Sequence, residues 1–317
     1  MTRAYVFPGQ GSQAVGMGRE MAAAFAAARA VFEEVDEALQ QKLSTLMFDG
    51  PEDELTLTAN AQPAIMATSL AIVRVLEKEA GLDLKRDAAF VAGHSLGEYS
   101  ALAAAGAFSI ADAARLLRRR GQAMQQAVPP GEGAMAALMG LDYETGVAVV
   151  AEAQKETGGD AVCAIANDNG GGQVVASGSK AAVEKAMEIA KTKGARRSIL
   201  LPVSAPFHCA LMQPAASVMA DALAAVDIAA PRVPLVANVT AAPVTDPAEI
   251  RKLLVAQVTG TVRWRESVQY MAGQGVTLFI ELGAGKVLTG LLKRIVDTAT
   301  GIGVAVPSEV DAYKALG

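Results

Sequence analysis

The pentapeptide Gly93-His94-Ser95-Leu96-Gly97 is a G-x-S-x-G pattern, and it follows the apolar run Phe90-Val91-Ala92. A strand that turns sharply into a helix puts such a serine at the bend, where glycines leave room for a strained backbone. The hydroxyl then sits at a helix N-terminus, whose unpaired N–H groups can stabilise an oxyanion. That is the chemistry of making and breaking esters or thioesters. A serine needs a base to take its proton, and the chain holds two histidines, His94 and His208. His94 adjoins Ser95 at the bend, so its side chain should diverge. His208 ends Val203-Ser204-Ala205-Pro206-Phe207-His208, directly after an expected strand. A loop at the C-terminal edge of a sheet could deliver it to Ser95. A hydrolase triad would add an acid, yet Asp142, Asp160 and Asp168 all fall in an expected insert. A backbone carbonyl could orient the imidazole instead, leaving a Ser-His dyad.

Arg120 shares a helical face with Ala113, Leu116, Leu117 and Met124, while Arg115, Arg118, Arg119 and Gln122 lie off it. A guanidinium on an apolar face needs a partner, because burying it unpaired costs several kcal/mol. It could pair with a protein carboxylate, extend outward to solvent, or grip a substrate carboxylate with its planar fork. Gly9-Gln10-Gly11-Ser12-Gln13-Ala14, after the first strand, matches a dinucleotide fingerprint only thinly, with no acid closing a second strand. Backbone N–H groups of that turn and of Leu96 suit an oxyanion hole better.

The elements that must position these groups alternate. Strands are expected at 4–7, 88–92, 234–239 and 277–282, with helices at 18–41, 64–78 (opened by Pro63), 96–105, 111–124, 215–225 and 286–295. Such alternation predicts an α/β fold with a parallel sheet covered by helices. The composition shifts near Val128-Pro129-Pro130-Gly131. From there to residue 201 the order reads β-α-β-β-α-β, the split arrangement of a ferredoxin-like domain. Its middle turn, Asn167-Asp168-Asn169-Gly170-Gly171, has the residues of a hairpin connection. The expected domains are therefore 1–127 with 202–317, and an insert over 128–201.

The 317 residues, 52% hydrophobic and 19% charged, can bury a large core. A formal charge of −5 argues against general nucleic-acid binding. Cys163 and Cys209 cannot form a thiolate cluster alone and read as reduced thiols of a cytoplasmic protein. The opening Met-Thr-Arg-Ala-Tyr-Val-Phe-Pro-Gly is too short an apolar run for a signal peptide. No stretch has the apolar length of a membrane span.

Together these motifs resemble the acyltransferases of fatty acid and polyketide synthesis that move malonyl groups from coenzyme A to an acyl carrier protein. The resemblance spans essentially the whole chain. It rests on Phe7-Pro8-Gly9-Gln10-Gly11-Ser12-Gln13, on Gly93 to Glu98, on Arg120-Gly121-Gln122-Ala123-Met124, and on Asn167 before Gly172 to Gly178. Val203 to His208, Gln257 in the segment running to Trp264, and Glu281-Leu282-Gly283-Ala284-Gly285 extend it. It implies an α/β-hydrolase-like domain with a ferredoxin-like insert. Ser95 would be the acylated nucleophile, His208 its base and acid, and Arg120 the anchor of the malonyl carboxylate. The N–H groups of Gln10 and Leu96 would form the oxyanion hole, and the main-chain carbonyl of Gln257 would orient the histidine. Asn167 and Phe207 would line the substrate pocket, the flat Phe207 ring suiting malonyl better than branched methylmalonyl. Ala284 stands where relatives often carry proline.

No bound cofactor is implied. Malonyl-CoA is the expected substrate and phosphopantetheine arrives on holo acyl carrier protein, in a monomer touching neither nucleic acid nor membrane. Lys185, Lys191, Lys193, Arg196 and Arg197, with Arg118 and Arg119, are candidates for a basic rim facing the acidic carrier. A serine thioesterase or esterase is the enzymatic rival, and a carrier-binding scaffold with a vestigial site the non-enzymatic one.

Overall fold

The computed structural model describes residues 1–316. β1 (Arg3–Phe7) is buried from Ala4 onward, as a strand covered on both faces must be. It pairs in parallel with β2 (Phe90–Gly93) and with β9 (Leu278–Leu282). β10 (Thr300–Val304), β7 (Leu235–Val236) and β8 (Pro243–Val244) complete the order β10-β9-β1-β2-β7-β8. Only the short β7–β8 pair is antiparallel. The expected mixed α/β fold with a parallel sheet is what forms. Phe7 lies in register with Gly93, so the loops leaving β1 and β2 emerge side by side at one sheet edge.

The second sheet is antiparallel, built from β3 (Gly133–Met139), β4 (Cys163–Asp168), β5 (Gln173–Ser179) and β6 (Arg197–Leu200) in the order β4-β5-β3-β6. Helices Tyr143–Thr157 and Lys180–Thr192 follow β3 and β5, as the segment's pattern predicts. Side chains alternate along β3. Ala134, Ala136 and Leu138 pack with the insert's own helices, whereas Met135 and Ala137 join the main core. The outer edge of β4 is covered by the segment after Gly260. Val262 N–H donates to Ala166 O at 2.8 Å, Asp168 N–H to Val262 O at 3.0 Å, and the Arg265 guanidinium meets the buried Asp168 carboxylate at 2.8 Å.

Two expectations need correction. The helix read over 18–41 is two, Arg19–Ala24 and Ala26–Leu39, broken where Phe25 takes an extended backbone. The helix opened by Pro63 instead spans Thr58–Ala80 with Pro63 inside it. Proline gives up one N–H bond there, but the first turn is pinned from outside: Thr58 bonds Ser204, and Gln62 is buried against Arg120.

Candidate active site

The elbow forms because two glycines allow backbones to touch. A Cβ on Gly93 would lie 1.9 Å from the Gly97 carbonyl carbon, and one on Gly97 would lie 2.2 Å from Phe7 O. The chain therefore runs from β2 tightly around Ser95, at φ 53°, into helix Gly97–Ala104. The β1 loop crosses directly over this turn, where a Cβ on Gly9 would meet His94 O at 2.7 Å. Neither Gln10 nor Leu96 has its backbone N–H engaged by another group among the described residues.

His208 also has a left-handed backbone, at φ 57°, and is buried. Its Nε2 accepts from Ser95 Oγ at 2.8 Å. Its Nδ1 faces the main-chain oxygens of Gln257 (2.8 Å) and Gly260 (3.1 Å), which fixes the proton on Nδ1 and leaves Nε2 free to accept. Gln257 is the last residue of helix Pro247–Gln257, so its carbonyl lacks a helical partner and is available. No carboxylate touches the imidazole among the described residues. Burial, then the neighbouring Arg120 charge, lowers the His208 pKa to about 3, so the ring is a neutral acceptor at ordinary pH.

Arg120 projects from the buried face of helix Ile110–Gln126 and is 1% exposed. Nη1 donates to Gln62 Oε1 at 2.9 Å, while Nη2 donates to Gln257 Oε1 at 2.8 Å and to Ser95 Oγ at 3.2 Å. Among the described residues it forms no direct ion pair. Neutral amides hold it beside the nucleophile, with no carboxylate in contact with the guanidinium among the described residues.

Ser95 and His208 open onto a cavity of about 230 Å³ that Gln10, Asn167, Phe207 and Met135 also line. Met135 on β3 and Asn167 on β4 bring the antiparallel sheet to this cavity. A larger groove of about 700 Å³ touches the other side of His208, between helix Tyr143–Thr157 and residues 259–261. Its nucleophiles are Cys163, whose thiol burial pushes up to about 12, and Cys209, also raised. The reactive face is the one with Ser95.

The sequence-selected residues Ser95, His208, Arg120 and Gln257 converge, and Gln10, Asn167 and Phe207 line the cavity onto which Ser95 and His208 open. His94 diverges as expected, bonding Asn169 of the insert at 2.9 Å. Asp168 serves Arg265 rather than the histidine. The basic rim is partly spent: Lys185 pairs with Glu156 and Glu188, Lys193 with Glu152, and Arg118 bonds Asn60 and Gln41. Sequence reasoning missed Gln62, Asn238 and the role of Glu98. Asn238 Oδ1 accepts from Ser95 N–H at 2.8 Å, and its Nδ2 donates to Gly93 O at 2.7 Å. An asparagine just past a strand at this sheet edge was the available signal.

An elbow serine under an imidazole, with a guanidinium aimed at the same hydroxyl, is equipped for acyl transfer. The chain belongs to the acyl transferase domain family, which matches residues 4–308. It is 48% identical to the malonyl CoA-acyl carrier protein transacylase of Escherichia coli, covering 99% of each chain. Among solved structures, the acyl-carrier-protein-S-malonyltransferase of Bartonella henselae is 56% identical, with a TM-score of 0.96 over 100% of this chain and 99% of that one. A malonyl-transacylase in complex with a type II polyketide acyl-carrier protein is 41% identical, with a TM-score of 0.95 and 100% of both chains covered.

Proposed function

We propose that the chain transfers a malonyl group from coenzyme A to the phosphopantetheine thiol of holo acyl carrier protein. The observation that carries this is the Ser95–His208 bond with a guanidinium, in contact with no carboxylate among the described residues, 3.2 Å from the same oxygen. Ser95 passes its proton to His208 Nε2 as Oγ attacks the thioester carbonyl. The N–H groups of Gln10 and Leu96 receive the tetrahedral oxyanion. Collapse breaks the C–S bond, and coenzyme A leaves with the proton from His208. In the second half the pantetheine thiol gives its proton to His208, attacks the malonyl-Ser95 ester and regenerates the serine.

Arg120 anchors the distal carboxylate as a bidentate partner, and Asn167 and Phe207 bound the acyl pocket. The Gln257 carbonyl holds the imidazole in register throughout. No resident cofactor enters this scheme, because side chains and backbone supply every role.

The insert's β-α-β-β-α-β order supports reading residues 128–201 as a ferredoxin-like subdomain within an α/β-hydrolase-like domain, 1–127 and 202–317. Lys191, Arg196, Arg197 and Arg119 pair with no acid among the described residues and remain for an acidic carrier. We read the protein as a cytoplasmic monomer that binds neither nucleic acid nor membrane. Its two thiols are unpaired, and no helix among the described residues is long and apolar enough to cross a membrane. Sedimentation of the purified chain checks the monomer.

The test is incubation with malonyl-CoA in the absence of acceptor thiol, followed by peptide mass spectrometry. Malonate esterified to Ser95, absent in Ser95→Ala and discharged by holo carrier faster than by water, is the expected result. A modified residue other than Ser95 would sink the mechanism, and discharge by water alone would make the protein a thioesterase.

A further inference from the structure

Glu98 lies one helical turn beyond Ser95 and is 1% exposed, yet no step above uses it. Its Oε1 accepts from Asn238 N–H at 3.0 Å, and its Oε2 accepts from Gln257 Nε2. That same Nε2 donates to Ser95 O at 2.8 Å, while Gln257 Oε1 accepts from Arg120 Nη2. The main chain of Gln257 meanwhile accepts from His208. One buried glutamine therefore touches the elbow, the imidazole and the guanidinium, and Glu98 joins Ser95 O and Arg120 in fixing which way its amide points.

We propose that Glu98 is a positioning residue for acyl-group selection: its ionised carboxylate locks the Gln257 amide so that Arg120 is held square to the incoming carboxylate. An ionised carboxylate can only accept hydrogen bonds, so the amide nitrogen must face it. Flipping the amide would set Oε1 against the carboxylate and the Ser95 carbonyl oxygen, and the NH₂ group against the guanidinium, three repulsive contacts at once. The arrangement also places a counter-charge near buried Arg120 without occupying its fork, which a direct ion pair would do. Glu98 thus acts through Gln257 and touches no reacting atom.

The inference rests on Arg120 being the carboxylate anchor, so Arg120→Ala is run beside Glu98→Gln, each assayed with malonyl-CoA and acetyl-CoA. A glutamine at 98 has one acceptor oxygen where the carboxylate has two, so it cannot accept from both Asn238 N–H and Gln257 Nε2, and the Gln257 amide loses or strains one of the contacts that aim it. We expect kcat/KM for malonyl-CoA to fall about tenfold or more through KM, with acetyl-CoA changing less than about threefold. Removing a buried negative charge would by itself favour a carboxylate substrate. A loss of malonyl preference therefore reports orientation rather than charge. Equal losses for both substrates, or a raised malonyl preference, would overturn the proposal. If Arg120→Ala narrows the preference and Glu98→Gln does not, only the role of Glu98 falls. If Arg120→Ala leaves the preference intact, the anchor reading falls and this inference with it.

Should Glu98→Gln fail to fold, the unaltered protein supplies a second measurement. Burial raises the Glu98 pKa to about 7. The charged and titratable groups facing it are Arg120, from helix Ile110–Gln126, and Tyr99 on its own helix; a guanidinium stays protonated in proteins, and burial pushes the Tyr99 phenol up, away from the neutral range. The malonyl-to-acetyl preference should fall as pH drops from about 8 to 6, since acceptor-thiol ionisation cancels in the ratio. A flat preference overturns the proposal.

Discussion

Ser95 and His208 meet at 2.8 Å with both backbones in the left-handed region, at φ 53° and 57°. Each residue is strained so that the two side chains can share a proton, and such strain costs on the order of 1–3 kcal/mol per residue. Ser95→Gly and Ser95→Ala remove the same hydroxyl, but only glycine relieves the backbone. Both should lack acyl-enzyme formation, and Ser95→Gly should unfold with about 1 kcal/mol more stability than Ser95→Ala. Urea titration reads the difference. Equal midpoints would mean that the elbow stores no strain.

The Arg120 charge is the second cause, after burial, of the low His208 pKa. His208 must be neutral to accept the serine proton, so a lower pKa extends activity toward acid. With acetyl-CoA as substrate, the unaltered protein should keep a flat kcat/KM from about pH 8 to 5. Arg120→Ala removes the second cause while burial stays, so the imidazole pKa rises part of the way toward its ordinary 6.5 and the acid limb of the profile should lie at higher pH than in the unaltered protein. Superimposable profiles would remove Arg120 from the electrostatics of the base.

Two buried groups pull stability in opposite directions. Glu98 binds its proton at about 7 in the folded protein against an ordinary 4.5, so its contribution is complete below 4.5 and is lost as pH rises through 7. His208 drops from 6.5 to about 3, so its contribution is complete above 6.5 and is lost as pH falls toward 3. Between 4.5 and 6.5 the two slopes cancel, each about 1.4 kcal/mol per pH unit. Glu98→Gln removes one of them. Relative to the unaltered protein, that variant should lose about 1.4 kcal/mol per unit as pH is lowered across this window. Urea titrations at three pH values decide it, and parallel stability curves would exclude titration of Glu98 there.

Gly93→Ala forces a Cβ to within 1.9 Å of the Gly97 carbonyl carbon and 2.4 Å of Glu98 N, backbone that has no side-chain freedom to yield. We expect a loss of about 4 kcal/mol or more, or failure to accumulate as folded protein. Gly273→Ala, at the end of helix Trp264–Gly273 with open space around its Cβ, is the control and should gain about 0.5 kcal/mol. Thermal melts of the two variants test the packing of the elbow.

The elbow was legible in the sequence because its determinants are local: an apolar strand, two glycines at fixed spacing and a helix former. Arg120 was legible too, since one charge on an apolar helical face stands out against the 3.6-residue period. The partners that hold these groups were not. Asn238 reaches Ser95 across 143 residues and Gln62 reaches Arg120 across 58, and neither carries a local pattern. The orienting carbonyl of Gln257 belongs to the main chain, so side-chain identity could not announce it, and only family resemblance pointed there. The missed break at Phe25 falls in an alanine-rich run whose neighbours on both sides favour helix, and β10 is a short strand with two glycines among its five residues.

The strip of chain at 261–265 finishes the insert's sheet from outside, through Val262, and clasps it through Arg265. Grafting residues 128–201 alone would strip β4 of the partner that sheathes its rim. A chimaera that also carries the donor's 261–265 strip keeps the seam whole. The portable unit of this fold is therefore discontinuous, and cut points chosen from chain order alone would sever it.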